Sequence, residues 1–210
     1  MRKISDSTVR RLSLYLRTLE GSRRSGILTI SSQELARESG TTPAQVRKDL
    51  SFFGSFGKRG LGYSVPQLVG RIRRILGLER QWRVLVVGAG RIGTALAGYP
   101  GFATAAFRVV ALADTDPGKV GAEWDGVPVR DAADLEGVVR ETGAEIAIVA
   151  TPGASAQRVV DLLVEAGVRA ILNFAPVKIR VPSGVVVKTV NMAHELEGLS
   201  YALTNGRTPS

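Results

Sequence analysis

A two-part α/β architecture is the fold class this sequence predicts: a small helical module, then a doubly wound parallel sheet with a closing helix. Three observations predict it. Strand and helix periodicities alternate from residue 82 onward, a glycine triplet follows the first of those strands, and charge is divided unequally between the two parts. Alternation of this kind places helices on both faces of a mostly parallel sheet.

The charge division sets the function classes. The chain of 210 residues carries a net charge of +9, but residues 1–80 hold 16 Lys and Arg against 6 Asp and Glu, while residues 81–210 hold 12 against 13. A basic excess confined to one module points to an anionic surface as partner, nucleic acid or membrane. No apolar run approaches the roughly 20 residues of a membrane span, and charge interrupts the N-terminal stretch MRKISDSTVRRLSLYLRTLEG every turn, unlike a signal peptide. A cytoplasmic location is the expectation. With no cysteine in the chain, disulfides, thiolate catalysis and Cys-ligated metals are excluded, so a redox role must pass through a bound cofactor. No metal-ligand spacing stands out either.

In the N-terminal module, Val9, Leu12, Leu16 and Leu19 recur at helical spacing from about Ser5 to Glu20, with Gly21 as the expected stop. Ser31 and Glu34 form a capping-box pair ahead of a short helix that Gly40 ends. Thr42 and Pro43 open the next helix, AQVRKDLSFFG, with Gly54 as its stop. Two short helices across a tight turn predict a helix-turn-helix. At about 100° per residue, Val46, Leu50 and Phe53 share one face of the second helix. Ala44, Lys48 and Ser51 lie opposite, with Gln45 and Arg47 on the flanks. Small, amide, hydroxyl and basic side chains are the types that reach base edges and phosphates. GSFGKRGLGYSV then reads as a hairpin with a basic tip, Lys58 and Arg59, and PQLVGRIRRILG as a fourth helix ended by Gly77. Together these elements predict a winged-helix DNA-binding domain over residues 1–80.

Residues 81–190 read as a Rossmann-type domain. WRVLVVGAGRIG is a buried strand running into Gly88, Gly90 and Gly93, followed by helical TALAGY, so the GxGxxG spacing stands in the context that gives it meaning. The loop residues Gly88, Ala89, Gly90, Arg91, Ile92 and Gly93 are therefore candidate contacts to a dinucleotide. FRVVALAD ends in Asp114, 26 positions after Gly88, where a carboxylate can accept both adenosine ribose hydroxyls and disfavour a 2′-phosphate, hence NAD rather than NADP. Strands follow at 144–150, 169–174 and 184–190, with helices DAADLEGVVRETG and ASAQRVVDLLVEAG between them. Thr151, Pro152 and Asn173, at the ends of two of these strands, complete the candidate cofactor residues. Residues 191–210 form a terminal amphipathic helix marked by Met192, Leu196, Leu199 and Leu203.

An enzyme reading is poorly supported. Only the terminal helix remains to shape a substrate pocket, the sole histidine, His194, opens that helix, and Tyr99 lacks the lysine four positions on that short-chain dehydrogenases pair with their tyrosine. A small NAD-dependent oxidoreductase and a CoA- or nucleotide-binding module without switching remain as alternatives.

The segments YLRTLE, AQVRKDLSFFGSFGKRGLGY, VGAGRIGTALAGYPGF and ILNFAPV resemble, in the same order and across nearly the whole chain, the Rex family of redox-sensing repressors. That resemblance implies a non-enzymatic homodimer whose winged-helix domains bind an inverted-repeat DNA operator. It implies cofactors NADH and NAD, with NADH closing the dimer and releasing DNA. It also implies a basic recognition helix at Arg47 and Lys48, a wing arginine at Arg59, a tyrosine near the nicotinamide at Tyr99, an inter-domain arginine at Arg17, and exchange of the terminal helix between subunits. Where the family often has NVD after the last strand, this chain has TVN, so Asn191 replaces an aspartate that takes part in sensing. An amide at that position can accept a hydrogen bond from Arg17 but brings no charge, an altered switch being the expectation.

Overall fold

The computed structural model describes residues 4–54 and 62–206, apart from the side chains of 103 and 104. The chain divides between Arg80 and Gln81 into two compact units.

The first unit opens with α1 (Asp6–Arg24), whose N-cap Ser5 accepts from the Thr8 amide. The helix runs through Gly21, contrary to expectation. Ser22, the next residue, is buried, and the left-handed residue that stops the helix is Gly26, φ 75°. Nor does Val9 belong to the buried stripe, being 40% exposed; Leu12, Tyr15, Leu16 and Leu19 form it. A two-residue ribbon, β1 (Thr29–Ile30) against β2 (Tyr63–Ser64), pairs antiparallel with Ile30 opposite Tyr63. Between them lie α2 (Ser32–Glu38), with the Ser31–Glu34 capping box formed in both directions, and α3 (Pro43–Ser51) behind N-cap Thr42. α4 (Val65–Ile75) packs on α1 and ends before Gly77 at φ 70°. One core of Leu12, Tyr15, Leu19, Leu35, Leu50, Leu68 and Ile72 joins all four helices. The basic tip, Lys58 and Arg59, lies outside the described residues.

The second unit is a seven-stranded sheet. β3 (Trp82–Val87), β4 (Phe107–Asp114), β6 (Val127–Asp131), β7 (Ile146–Val149), β8 (Ala170–Asn173) and β9 (Val186–Thr189) are parallel; β5 (Glu123–Trp124) adds an antiparallel edge. The order is β5-β6-β4-β3-β7-β8-β9. Chain direction across the sheet therefore reverses between β3 and β7, and ligands of doubly wound sheets bind beyond the strand ends at such a point. Helices α5 (Arg91–Ala97), α6 (Pro100–Thr104), α7 (Leu135–Thr142) and α8 (Gly153–Glu165) connect the strands, with a 3-10 turn at Ala132–Asp134 leading into α7. Val87, Ala113, Val149, Val160 and Leu163 lie in the core on one face of the sheet. Val86, Leu112 and Ile148 lie on the other, as the period-two alternation of strands requires. The last helix, α9 (Met192–Thr204), has no buried residue; Met192, Leu196, Leu199 and Leu203 are 52–86% exposed.

Candidate cofactor cleft and nucleic-acid face

In the first unit, α3 is pinned at both ends. Thr42 Oγ1 accepts from the Gln45 amide at 3.2 Å, and Arg71 donates to the Phe53 carbonyl, just beyond the helix, at 2.8 Å. Val46 and Leu50 are buried beneath, so Ala44, Arg47, Lys48 and Ser51 face solvent. Arg47 donates to Ser32 Oγ at 3.1 Å, leaving most of its guanidinium exposed, and the Ser51 hydroxyl donates to the Lys48 carbonyl. Arg47 and Lys48 thus stand as outward cations. Arg17 is exposed on α1. Gln45 behaves differently from the outward-facing residue expected: it is half-buried, and its Nε2 donates to Asp49 at 2.8 Å.

Sequence reasoning passed over Asp49, the one fully buried carboxylate among the described residues. Arg11 grips it twice, Nε to Oδ2 at 2.6 Å and Nη2 to Oδ1 at 2.7 Å, and the Tyr15 hydroxyl adds a donor at 3.0 Å. Burial pushes the Asp49 carboxyl up, but donors from Arg11, Gln45 and Tyr15 outweigh it and hold the group below its ordinary range. Burial, with the neighbouring carboxylate, pushes the Tyr15 hydroxyl up to about 12. The only sequence signal was angular: Asp49 falls about 60° from Val46, on the apolar side of the helix.

In the second unit, the turn after β3 lies against the strand end of β7. Gly88 has φ 104°, and a Cβ there would lie 2.6 Å from the Ala150 carbonyl oxygen. At Gly93, in the first turn of α5, a Cβ would lie 1.8 Å from the Gly88 oxygen, so this glycine lets the helix close on the turn. Gly90 differs from both. Its φ of −86° suits any residue and nothing lies within 4 Å of a Cβ there, so its openness serves whatever approaches the loop from outside. Ala89 is buried, whereas Arg91 and Ile92 are exposed at the start of α5.

Asp114 closes the end of β4. Its carboxylate accepts from the Ala89 amide at 2.7 Å, the Asp116 amide at 2.9 Å and Lys119 Nζ at 3.2 Å. Burial pushes its carboxyl up, and these donors hold it down. A carboxylate offers about four acceptor sites, so three are engaged and one is open. Accepting both hydroxyls of a ribose therefore requires Lys119, a flexible side chain that is 41% exposed, to swing aside. Lys119 was another residue the sequence reading missed.

Across the turn, Thr151 Oγ1 is buried without a hydrogen-bond partner among the described residues. An unsatisfied buried hydroxyl costs about 1–3 kcal/mol, a cost that a polar ligand in this crevice removes. The openness at Gly90 and the free Thr151 oxygen both fit a dinucleotide. Pro152 is exposed at the start of α8, and Tyr99 is 53% exposed, its ring edge-on to Phe102 at 5.2 Å.

Two assignments change. Asn173 is buried, and its amide is spent on its own loop, accepting from the Ala175 amide and donating to the Ala175 and Val177 carbonyls. It shapes the loop rather than offering a polar group to a ligand. Asn191 is the N-cap of α9: its Oδ1 accepts from the Ala193 and His194 amides. That oxygen caps the helix, in keeping with the preference for Asn at N-caps. His194 is exposed, its nearest ionic neighbour being Glu197 at 3.6 Å. Among the described residues no three His, Asp or Glu side chains gather as a metal site, and no helix is long and apolar enough to cross a membrane.

By sequence, residues 79–177 match a family described as “CoA binding domain”, and residues 3–51 one described as “Putative DNA-binding protein N-terminus”. The redox-sensing transcriptional repressor Rex of Streptomyces coelicolor is 48% identical over 200 residues, covering 95% of this chain and 78% of that protein. Among solved structures, RSP in complex with β-NAD+ and operator DNA superposes with a TM-score of 0.92 at 34% identity, covering 98% of this chain and 95% of that one. RSP in complex with β-NADH superposes with a TM-score of 0.87 at 32% identity, covering 98% and 97%.

Proposed function

The chain belongs to the Rex family of redox-sensing transcriptional repressors, and on that premise we propose that it binds an inverted-repeat operator as a homodimer and leaves it when NADH fills the Rossmann cleft. It is a regulator rather than an enzyme. The observation that carries the cofactor half of this reading is the pairing of an open Gly90 with a buried Thr151 oxygen that has no partner among the described residues, where the strand order reverses. Asp114 selects a dinucleotide with a free ribose, because a 2′-phosphate would meet its charge. Gly88 and Gly93 shape the turn that admits the pyrophosphate. NADH differs from NAD+ by one hydride, which removes the positive charge of the nicotinamide ring.

Release follows from a difference in affinity, not from tight binding: NADH shifts the dimer only if it binds the arrangement that cannot hold DNA more tightly than the one that can. Allosteric couplings of about 1–3 kcal/mol change affinity about 5- to 150-fold. That is enough, because two recognition helices must meet major grooves about 34–36 Å apart, or a multiple of that spacing. The bare apolar stripe of α9 supports the dimer, with exchange of this helix between subunits as its form. Cytoplasmic residence follows from the same role.

The DNA half is tested by salt. If Arg47, Lys48 and their neighbours neutralise about six phosphates in the dimer, affinity is expected to fall about 10³-fold between 50 and 200 mM salt, as read by fluorescence anisotropy on a palindromic duplex. In the absence of DNA the protein is expected to sediment as a dimer, and a chain ending at Asn191 as a monomer. A flat salt response would remove the basic face from the account, and a monodisperse dimer without α9 would remove the helix exchange.

A further inference from the structure

Taking the operator-binding reading as given, we infer that Asp49 is a positioning residue that orients Gln45 to read an adenine. Asp49 and Gln45 lie one turn apart on α3, joined by Nε2 to Oδ1 at 2.8 Å. Each Asp49 oxygen accepts twice: Oδ1 from Arg11 and Gln45, Oδ2 from Arg11 and Tyr15. With all its acceptor sites filled, the carboxylate cannot turn, and because an ionised carboxylate accepts only, the Gln45 amide must face it nitrogen first.

One N–H of Gln45 is therefore fixed inward. The remaining N–H and Oε1, which takes no donor among the described residues, form a donor and acceptor pair on a half-buried side chain about one turn before Lys48 and nearly two before Ser51. That pair complements adenine, whose major-groove edge offers N6–H2 and N7. A free glutamine flips its amide between two faces; one tethered through a buried carboxylate does not. The anchor reaches back to α1, where Arg11 and Tyr15 are buried or half-buried beneath the recognition helix, so the orientation is set from inside the domain.

The test is selection from a randomised inverted-repeat DNA library with the full-length wild type and with Gln45→Ala, Asp49→Asn and Tyr15→Phe. Wild type is expected to select an adenine at one position of each half-site by about tenfold over other bases. Gln45→Ala and Asp49→Asn are expected to lose preference at that position and no other, and Tyr15→Phe, which removes one donor without altering packing, to reduce it about two- to threefold. The last variant keeps the test decisive if Asp49→Asn fails to fold. If Asp49→Asn or Tyr15→Phe keeps the wild-type profile, or lowers every position alike, Asp49 has only a structural role and the inference is overturned. If wild type selects no sequence at all, the operator-binding reading beneath it fails instead.

Discussion

Gly93→Ala is expected to weaken NADH binding about 100-fold while leaving DNA binding intact, so that the variant stays on its operator at NADH concentrations that clear the wild type. The added methyl would lie 1.8 Å from the Gly88 carbonyl oxygen, a backbone atom that cannot rotate away. α5 or the turn must therefore shift by more than 1 Å, and a misplacement of about that size in a positioned site costs about 100-fold. The winged-helix unit is a separate compact body and does not share this contact. Nicotinamide fluorescence measures the affinity and gel mobility the DNA complex; undiminished NADH affinity would show that the turn is not the binding loop.

The second large effect is on stability. Arg11→Ala leaves the buried Asp49 carboxylate without its guanidinium, and removing one partner of a buried ion pair costs about 3–5 kcal/mol. Because the Arg11 side chain is 25% exposed, about 3 kcal/mol is the expected loss. It should appear in urea unfolding of the first unit, with the Rossmann unit's transition unchanged. The same network sets the pH response. Asp49 titrates below its unfolded value of about 3.9, so its contribution is full above that value and disappears as pH falls through the lower folded one. Tyr15 is raised to about 12 against an unfolded value of about 10, so its contribution is full below pH 10 and is lost as pH rises through 12. Unfolding of the first unit that is insensitive to Arg11→Ala and to acid would contradict this account.

What could be read in advance, and what could not, follows the range of the forces. β4 begins at Phe107 and ends at Asp114, as its apolar run indicated, and the Ser31–Glu34 box and the glycine stops at 40, 77 and 167 are local signals that act within a turn. Gly21 misled because a helix continues through glycine when tertiary contacts beyond it, here the burial of Ser22, compensate the lost propensity. Asp49 was invisible because its donors Tyr15 and Arg11 stand 34 and 38 residues away. Lys119 was missed for a related reason, since its ion pair with Asp114 depends on how the loop after β4 folds back. The edge strand β5, with two residues, and α6, with five, are too short for periodicity to register, and Pro128 interrupts the strand pattern of β6. Asn191 and Asn173 were read as groups offered to others, whereas each satisfies backbone nearby, the usual work of asparagine at a cap or turn.

The central claim is that the reduced cofactor, and not the oxidised one, separates the protein from DNA. The measurement is anisotropy of a labelled palindromic duplex bound by the wild-type protein at fixed salt, titrated in parallel with NADH and NAD+. Loss of the complex with NADH, without consumption of the cofactor and at concentrations at least about fivefold below any effect of NAD+, is the predicted result. Equal retention of DNA with the cleft empty, filled with NAD+ or filled with NADH would contradict it.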